Sequence, residues 1–319
     1  MTRRVTLSDV AERAGVSRAT ASAVLSGKEG KSIRVSDEKR REILEAAAAL
    51  GYVPNTAAQH LKRGDDNHII AVFTYENIFP TDPKSEYYLF FAGIQQEAEK
   101  EGYDILILNN WAKDKSRSSR IRLASGAIMI GVTRDDEHIT SLVKQDFPLV
   151  FVGRRQIGDN LPVHCVTFDY KPAVEAIVSY LDEKQIVYVS SKHSLAEPSA
   201  DKSLFLHDYC NRNGIAVVDI VIEDEPCEED MKRVLSSRAV IFDRLFIADL
   251  FSPVLPDRGI KCAIFEDDWT ETHSTWTRWE NRRLELGALA AKHLIAMLGG
   301  NEEPGESSVS IPLIIPDSF

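Results

Sequence analysis

Apolar side chains recur at helical spacing near the start of the chain. Leu7, Val10, Ala11 and Ala14 stand at positions i, i+3, i+4 and i+7, which places them on one face of a short helix. Thr6 precedes this run as a candidate N-cap, because its hydroxyl can accept from a backbone amide of the first turn. The pattern predicts an amphipathic helix that begins directly after Thr6.

A second short helix follows a turn at Gly15. Ser17 can cap it, and Ala21, Val24 and Leu25 share its inward face as far as about residue 26. Its outward positions are Arg18, Ala19, Ser22 and Ala23. Two short helices joined by a glycine-containing turn are typical of a helix-turn-helix, whose second helix reads the DNA major groove.

A third, longer helix completes the predicted head. Ser36 is its candidate N-cap, Gly51 ends it, and its inward face is expected to hold Ile43, Leu44, Ala47 and Leu50. This periodicity alone would also fit an ordinary three-helix bundle. The hydroxyl groups of Ser17 and Thr20, suited to phosphate oxygens, and Arg18, suited to phosphate or guanine, favour DNA binding.

Beyond residue 68 the pattern changes to short continuous apolar runs separated by helical stretches such as residues 88–101. The runs cover residues 69–73, 105–108, 126–130, 149–153, 163–168, 186–189, 217–222, 239–242 and 262–265. Continuous apolar runs alternating with helices indicate parallel strands in βαβ units. Nine strands exceed one compact sheet, so we expect two α/β lobes with a ligand crevice at the strand carboxyl ends.

Charge separates the head from the rest of the chain. Residues 1–64 carry 12 Lys and Arg against 7 Asp and Glu, a net charge of +5. The remaining residues carry 26 basic and 42 acidic side chains, a net charge of −16, within a total of −11. A basic head suits a polyanion, although +5 over 64 residues is a modest excess.

The sequence offers little to support other classes of function. No membrane-length apolar run and no secretory signal is found, so we expect a cytoplasmic, nucleoid-associated protein. The four cysteines are widely spaced, which argues against a disulfide framework or a zinc site. No catalytic or cofactor motif stands out, so we expect no enzymatic activity, no cofactor and no metal.

Two motifs in order carry a resemblance to a known family. Val5-Thr6-Leu7-x-Asp9-Val10-Ala11-x-x-Ala14-Gly15-Val16-Ser17-x-x-Thr20-x-Ser22 and Gly51-Tyr52-x-Pro54-Asn55-x-x-Ala58-x-x-Leu61 resemble the head and hinge of the LacI/GalR (lac repressor) family of bacterial transcription regulators. The resemblance implies a helix-turn-helix head, a hinge helix formed on DNA, and a two-lobed α/β body like a periplasmic binding protein.

The resemblance also suggests domain limits. We expect a helix-turn-helix domain at 1–54, a hinge helix and linker at 55–66, and an effector-binding and dimerisation body at 67–319. We place the first lobe at about 67–158 and 272–285, and the second at about 159–271 and 286–319. The chain would cross between the lobes near residues 155–162 and return near 268–282.

The head and hinge supply the candidate DNA contacts. They are Thr6, Leu7, Ser17, Arg18, Ala19, Thr20, Ser22, Ala23, Asn55, Ala58, Leu61 and Lys62. By resemblance, Leu61 is the wedge that enters between base steps from the minor groove. The two alanines on the reading helix form few hydrogen bonds, so specificity would rest on Arg18, methyl contacts and DNA shape.

The strand ends supply the candidate effector contacts. They are Tyr75, Glu76, Arg154, Lys202, Asp243 and Asp267. In the family, aspartates at two such strand ends accept hydrogen bonds from sugar hydroxyls, and Asp243 and Asp267 match them by order. Lys202 stands where the family has arginine, with Phe205 in place of a glycine, so a simple neutral sugar fits poorly and an anionic effector fits better.

The sequence therefore predicts a homodimeric regulator, expected to be a repressor, that binds a near-palindromic double-stranded operator. A carbohydrate-related effector between the lobes would modulate its affinity. The alternative is a DNA-binding regulator controlled by a partner protein or by no ligand, its pocket having lost sugar binding. A transport solute-binding protein and an enzyme with a DNA-binding appendage are disfavoured, because the head is basic and no catalytic constellation is found.

Overall fold

The computed structural model describes residues 5–25, 35–53, 67–74, 87–109, 120–131, 137–155, 157–158, 161–192, 197–255, 259–266, 275–280, 282–301 and 305–315. The chain divides into two compact units, Met1–Asn67 and His68–Phe319. No helix in the described part of the chain is both long enough and apolar enough to cross a bilayer.

The first unit contains the three helices that the periodicity predicts: α1 (Leu7–Arg13), α2 (Arg18–Leu25) and α3 (Asp37–Leu50). Gly15 joins the first two with a φ of +62°, a backbone conformation that glycine adopts without steric cost. The core of the head contains Val10, Ala21 and Ile43. The predicted helix-turn-helix is confirmed.

One inward assignment in the third helix is wrong. Leu44 is 49% exposed, whereas Ala46 is buried in the core of the head beside Ile43 and Ala47. A helix of this length places Leu44 and Ile43 about 100° apart, so only one of them can point straight into the core.

The described part of the second unit contains two six-stranded sheets. Its strands are β1 (Ile69–Thr74), β2 (Asp104–Asn109), β3 (Gly126–Ile130), β4 (Leu149–Val152), β5 (His164–Asp169), β6 (Gln185–Ser191), β7 (Ala216–Ile222), β8 (Ala239–Phe242), β9 (Lys261–Ile264), β10 (Thr277–Trp279), β11 (Glu306–Ser310) and β12 (Leu313–Ile314). The first sheet has the order β11-β5-β4-β3-β1-β2 and the second β12-β10-β9-β8-β6-β7. Every pairing is parallel except that of β10 with β12. The predicted two-lobed α/β fold is confirmed.

Helices cover both sheets. They are α4 (Tyr87–Lys100), α5 (Glu137–Val143), α6 (Tyr170–Leu181), α7 (Glu197–Arg212), α8 (Glu228–Leu235), α9 (Leu245–Phe251) and α10 (Arg283–Leu298). The helix α10 packs on α4 and on strands of the first sheet, whereas α6 packs on α7 and on strands of the second. The first lobe therefore contains α10, and the second contains α6 and α7.

The lobe boundaries differ from those expected. The strand β5 pairs with β4 in the first sheet, so the first crossing follows Asp169 and does not occur at 155–162. Likewise β10 lies in the second sheet, whereas α10 and β11 belong to the first lobe, not the second as expected. An apolar run predicts a strand but carries no information about which sheet the strand joins.

The helices α4 and α10 meet at two glycines. A Cβ atom on Gly93 would stand 2.0 Å from the carbonyl oxygen of Leu284, and one on Gly287 would stand 2.1 Å from that of Phe90. These distances leave no room for a methyl group, so backbone touches backbone at both points. The contact fixes α10 on the first lobe, close to where the chain arrives from the second.

We predict that Gly93→Ala and Gly287→Ala each lower the free energy of unfolding by about 1–3 kcal/mol, because each overpacks this crossing. In a helix, alanine is more favourable than glycine by about 1 kcal/mol. Helix propensity alone would therefore stabilise each variant, whereas overpacking destabilises it, and the sign of the change in unfolding free energy distinguishes the two effects. Chemical denaturation of the purified chain measures the change. The exposed Lys292→Ala on α10 is the control, expected within about 0.5 kcal/mol of wild type. A stabilised glycine variant would contradict the packing.

Candidate functional sites

The start of the head is organised by paired caps. The Thr6 hydroxyl accepts from the amide of Asp9 at 3.4 Å, and the Asp9 carboxylate accepts from the amide of Thr6 at 2.7 Å, which completes a capping box. Leu7 is partly buried against the core of the head. Thr6 therefore positions α1 and stays exposed on its outer side.

Hydroxyl groups also fix the start of α2. The Ser17 hydroxyl accepts from the amide of Thr20 at 3.1 Å, and the two side-chain oxygens lie 2.8 Å apart. Arg18 and Ala19 are exposed directly beside this cap, while Ser22 and Ala23 are half-buried. The buried face of α2 is formed by Ala21 and Val24. Of the predicted reading residues on α2, Arg18 and Ala19 are therefore the two that are open to solvent beside the cap.

A buried acid–base pair lies at the carboxyl ends of the second sheet. The side chains of Lys202 and Asp243 are 3% and 0% exposed, and the Lys202 Nζ lies 2.9 Å from the Asp243 Oδ1. The same ammonium donates to the carbonyl oxygen of Asp243 at 2.8 Å and lies 3.5 Å from that of Phe265. Three N–H groups thus have three acceptors.

The Asp243 carboxylate has further donors on both oxygens. The Tyr188 hydroxyl donates to Oδ1 at 3.0 Å, and the Ser199 hydroxyl donates to Oδ2 at 2.7 Å. Burial alone would raise the pKa of Asp243, but attraction to Lys202 and Arg244 and the hydrogen bonds outweigh burial and lower it. Asp243 is therefore held as a carboxylate, and a ligand hydroxyl would have to displace one of its donors.

Two arginines next to this pair are more accessible. Arg244 has a 26% exposed side chain and donates to Glu266 at 3.0 Å, and Glu266 also accepts from the amide of Leu245 at 2.7 Å. Arg154 follows β4 in the first lobe and has a 40% exposed side chain. Its guanidinium contacts Asp201 of the second lobe, one residue before Lys202, at 2.9 Å.

The structure places three of the predicted effector residues near one another, namely Lys202 and Asp243 in contact and Arg154 beside Asp201. The hinge residues Asn55, Ala58, Leu61 and Lys62 and the strand-end residues Tyr75, Glu76 and Asp267 lie outside the described residues. Sequence reasoning missed Tyr188, Ser199, Asp201, Arg244 and Glu266. Arg244 directly follows Asp243, and Glu266 directly precedes Asp267. Counting the neighbours of each strand-end residue as candidates would therefore have included both. Tyr188 lies inside a strand, where the sequence pattern does not distinguish it from a core residue.

The aromatic residues near the crossover belong to the core. Trp279 is fully buried, stacks on Phe265 with ring centroids 4.3 Å apart, and donates its indole N–H to the carbonyl oxygen of Ala173 at 3.3 Å. Trp276 stacks on Phe242. Trp279 therefore serves the core of the second lobe.

Among the described residues, no group of three or more His, Cys, Asp and Glu side chains is placed to hold a metal ion. No disulfide joins any of the four cysteines, all of which lie in the described residues.

Comparison with known proteins identifies relatives of the head and of the body. The sequence profile of the bacterial regulatory proteins of the lacI family matches residues 6–55. Catabolite control protein A of Priestia megaterium is 27% identical over 251 residues, which cover 69% of this chain and 71% of that protein. The sucrose operon repressor of Klebsiella pneumoniae is 31% identical over 192 residues, which cover 55% of this chain and about half (52%) of that protein.

Solved structures share the fold. A lac repressor bound to ONPG in the repressed state superposes with a TM-score of 0.71 at 19% identity, covering 98% of each chain. A complex of the transcriptional regulator CelR with cellobiose superposes with a TM-score of 0.63 at 19% identity, covering 99% of this chain and 100% of that one. The solved structures confirm the fold that the resemblance implies, and the profile match supports the resemblance itself over residues 6–55.

We predict that Lys202→Met lowers the free energy of unfolding by about 3–5 kcal/mol, because it leaves a buried carboxylate without its ammonium partner. The double variant Lys202→Met with Asp243→Leu should lose much less unfolding free energy than the sum of the losses in Lys202→Met and Asp243→Leu. Chemical denaturation at pH 7 measures all three. Lys192→Met, which removes the same group from the exposed pair with Glu223, is the control and should cost at most about 1 kcal/mol.

The same pair sets a dependence on pH. The folded pKa of Asp243 is below its ordinary value, so its stabilisation is complete above the unfolded pKa of about 3.9 and is lost as pH falls through the folded pKa. The difference in unfolding free energy between wild type and Asp243→Asn should therefore become smaller in strong acid. Additive losses at pH 7, or an unchanged difference in acid, would contradict the assignment.

Proposed function

We propose that this chain, whose head matches the sequence profile of the lacI family of bacterial regulatory proteins, is a DNA-binding regulator that acts as a dimeric, cytoplasmic repressor of a near-palindromic operator. The observation that carries the proposal is the exposed face of α2. Arg18 and Ala19 lie there beside the Ser17–Thr20 cap, and both are exposed. These two predicted reading side chains are thus accessible to DNA.

The chemistry of this face suits the major groove. The N-terminus of α2 directs its hydroxyls and first-turn amides outward, which favours phosphate oxygens. Arg18 can donate two hydrogen bonds to one guanine, and the small Ala19 and Ala23 allow close approach and methyl contacts with thymine. We propose that Asn55, Ala58, Leu61 and Lys62 add minor-groove contacts, as the hinge motif implies.

We propose that the effector is an anionic carbohydrate derivative bound between the lobes. Lys202 and Asp243 are both predicted ligand contacts, but their side chains are buried and paired with each other. Arg154 and Arg244 lie near the same strand ends and are partly exposed. A guanidinium offers a planar fork that fits a carboxylate or phosphate. We propose that Lys202 and Asp243 support the site without contacting the ligand. Tyr75, Glu76 and Asp267 remain further predicted ligand contacts.

One observation favours the second candidate, regulation without a small molecule. Arg154 and Arg244 already have carboxylate partners, in Asp201 and Glu306 and in Glu266. A site whose charges neutralise one another needs no ligand to be stable. Under this alternative a partner protein, or concentration alone, controls operator occupancy.

We propose that the dimer forms through α4 and the edge strand β2 of the first lobe. A groove of about 520 Å³ lies between them, lined by Phe91, Tyr103 and Ile105 together with Gln95, Glu99, Gly102 and Asp104. Tyr88 and Ile107 expose apolar surface on the same two elements. An edge strand with apolar side chains is a ready surface for pairing with another chain.

Selection of bound sequences from random duplex DNA by the full chain tests DNA recognition. We expect enrichment of two inverted half-sites. Arg18→Ala should weaken binding of the selected site by about 1–3 kcal/mol, measured by fluorescence anisotropy at fixed salt, because it removes a base contact. Arg41→Ala, which removes an equal charge from exposed α3, is the control. Enrichment of no sequence, or equal losses in both variants, would refute the assignment of α2 as the reading helix.

A separate prediction concerns the dimer. Ile107→Glu should convert the chain to a monomer in size-exclusion chromatography with light scattering, because it places a charge on the proposed apolar interface. Leu123→Glu makes the same change at another exposed apolar position and should leave the dimer intact. A dimer that survives Ile107→Glu would exclude this surface.

A further inference from the structure

We infer that Arg154 and Asp201 form a latch that holds the two lobes of the body together in the ligand-free protein. The inference rests on the proposed function, since it names how the site between the lobes is regulated. The two residues belong to different lobes: Arg154 follows β4 of the first sheet, and Asp201 lies on α7, which packs on elements of the second. The Arg154 Nη1 donates to the Asp201 Oδ2 at 2.9 Å.

The guanidinium of Arg154 is oriented from within its own lobe. Glu306 on β11 accepts from its Nε at 3.0 Å and from its Nη2 at 2.8 Å. This two-point pairing fixes the plane of the guanidinium and leaves Nη1 directed at the second lobe. Because the arginine is already ordered, the contact with Asp201 costs little additional side-chain entropy.

The contact is sheltered on the side of the second lobe. The side chain of Asp201 is only 17% exposed, and hydrogen bonds between charged groups in such positions are stronger and less screened than those on an open surface. Arg283, at the start of α10 in the first lobe, lies 3.7 Å from Glu266 at the end of β9 in the second. Ionic contacts therefore join the lobes in addition to the chain crossings.

The latch is coupled directly to the buried pair. Asp201 immediately precedes Lys202 on α7, and the Lys202 ammonium holds the carboxylate and carbonyl oxygen of Asp243. Separation of the lobes must break the Arg154–Asp201 contact before it frees the first turn of α7. An anionic ligand that pairs with Arg154 replaces Asp201 as its partner, so ligand binding releases the latch.

Hydrogen exchange of the full chain, followed by mass spectrometry without ligand or DNA, tests the latch. Asp201→Asn should raise the exchange rate about tenfold both in residues 150–155 and in residues 197–203, as expected for loss of one charged hydrogen bond. Asp201→Glu, which keeps the charge, should recover most of the protection. Asp208→Asn removes a carboxylate from the same helix, where it pairs only locally with Arg212 at i+4, and should change neither segment.

Arg154→Gln provides the second arm if Asp201→Asn folds poorly. It should raise exchange in the same two segments, and adding Asp201→Asn to it should raise exchange no further in residues 197–203, because Arg154→Gln has already removed the partner of Asp201. Increased exchange confined to α7, or no change in either variant, would overturn the latch. These readouts need no DNA, so a failed operator selection would refute the proposed function and leave the latch to be judged separately.

Discussion

A carboxylate removed from water organises the second lobe. Asp243 is fully buried at the end of β8, and such a charge persists only where donors fill its oxygens. Tyr188 from β6 and Ser199 and Lys202 from α7 all donate to it, and Lys202 also reaches the end of β9. The ends or interiors of three strands and one helix therefore meet at the Lys202–Asp243 pair. Replacing both charges with apolar groups would satisfy packing, but the ionic pair fixes where α7 begins, and with it the position of Asp201.

Helix caps and the spacing of apolar residues predicted most of the fold, because each depends only on residues that are close together in the sequence. The caps at Thr6 and Ser17 and the period of Val10, Ala21 and Ile43 are sufficient to specify the head. The nine apolar runs became strands for the same reason. The sequence did not reveal β10, β11 and β12, which are short or, as in Glu306–Ser310, mostly polar. It also misplaced β5 and α10, because the partner of a strand or helix is decided by packing with distant residues such as Gly93 and Gly287.

The candidate site was predicted in part for a related reason. A rule about strand ends leads to Asp243, and family order leads to Lys202, but neither states whether a side chain faces a ligand or another residue. The structure decides this through burial: Lys202 and Asp243 face each other, whereas Arg154 and Arg244 keep exposed surface. The lysine at position 202, where the resemblance leads one to expect arginine, thus fits the supporting role that we propose for it.

The most direct test of an effector-driven switch is to measure the affinity of the full chain for its selected operator while ligands are added, with fluorescence anisotropy as the readout. The panel should contain neutral sugars, sugar acids and sugar phosphates. We predict that an anionic member changes the operator dissociation constant at least about fivefold, the lower range of allosteric coupling, and that neutral sugars leave it unchanged. A response to neutral sugars would contradict the assignment of Arg154 and Arg244 as the ligand-facing groups. No response to any member would contradict an effector-driven switch and favour control by a partner protein.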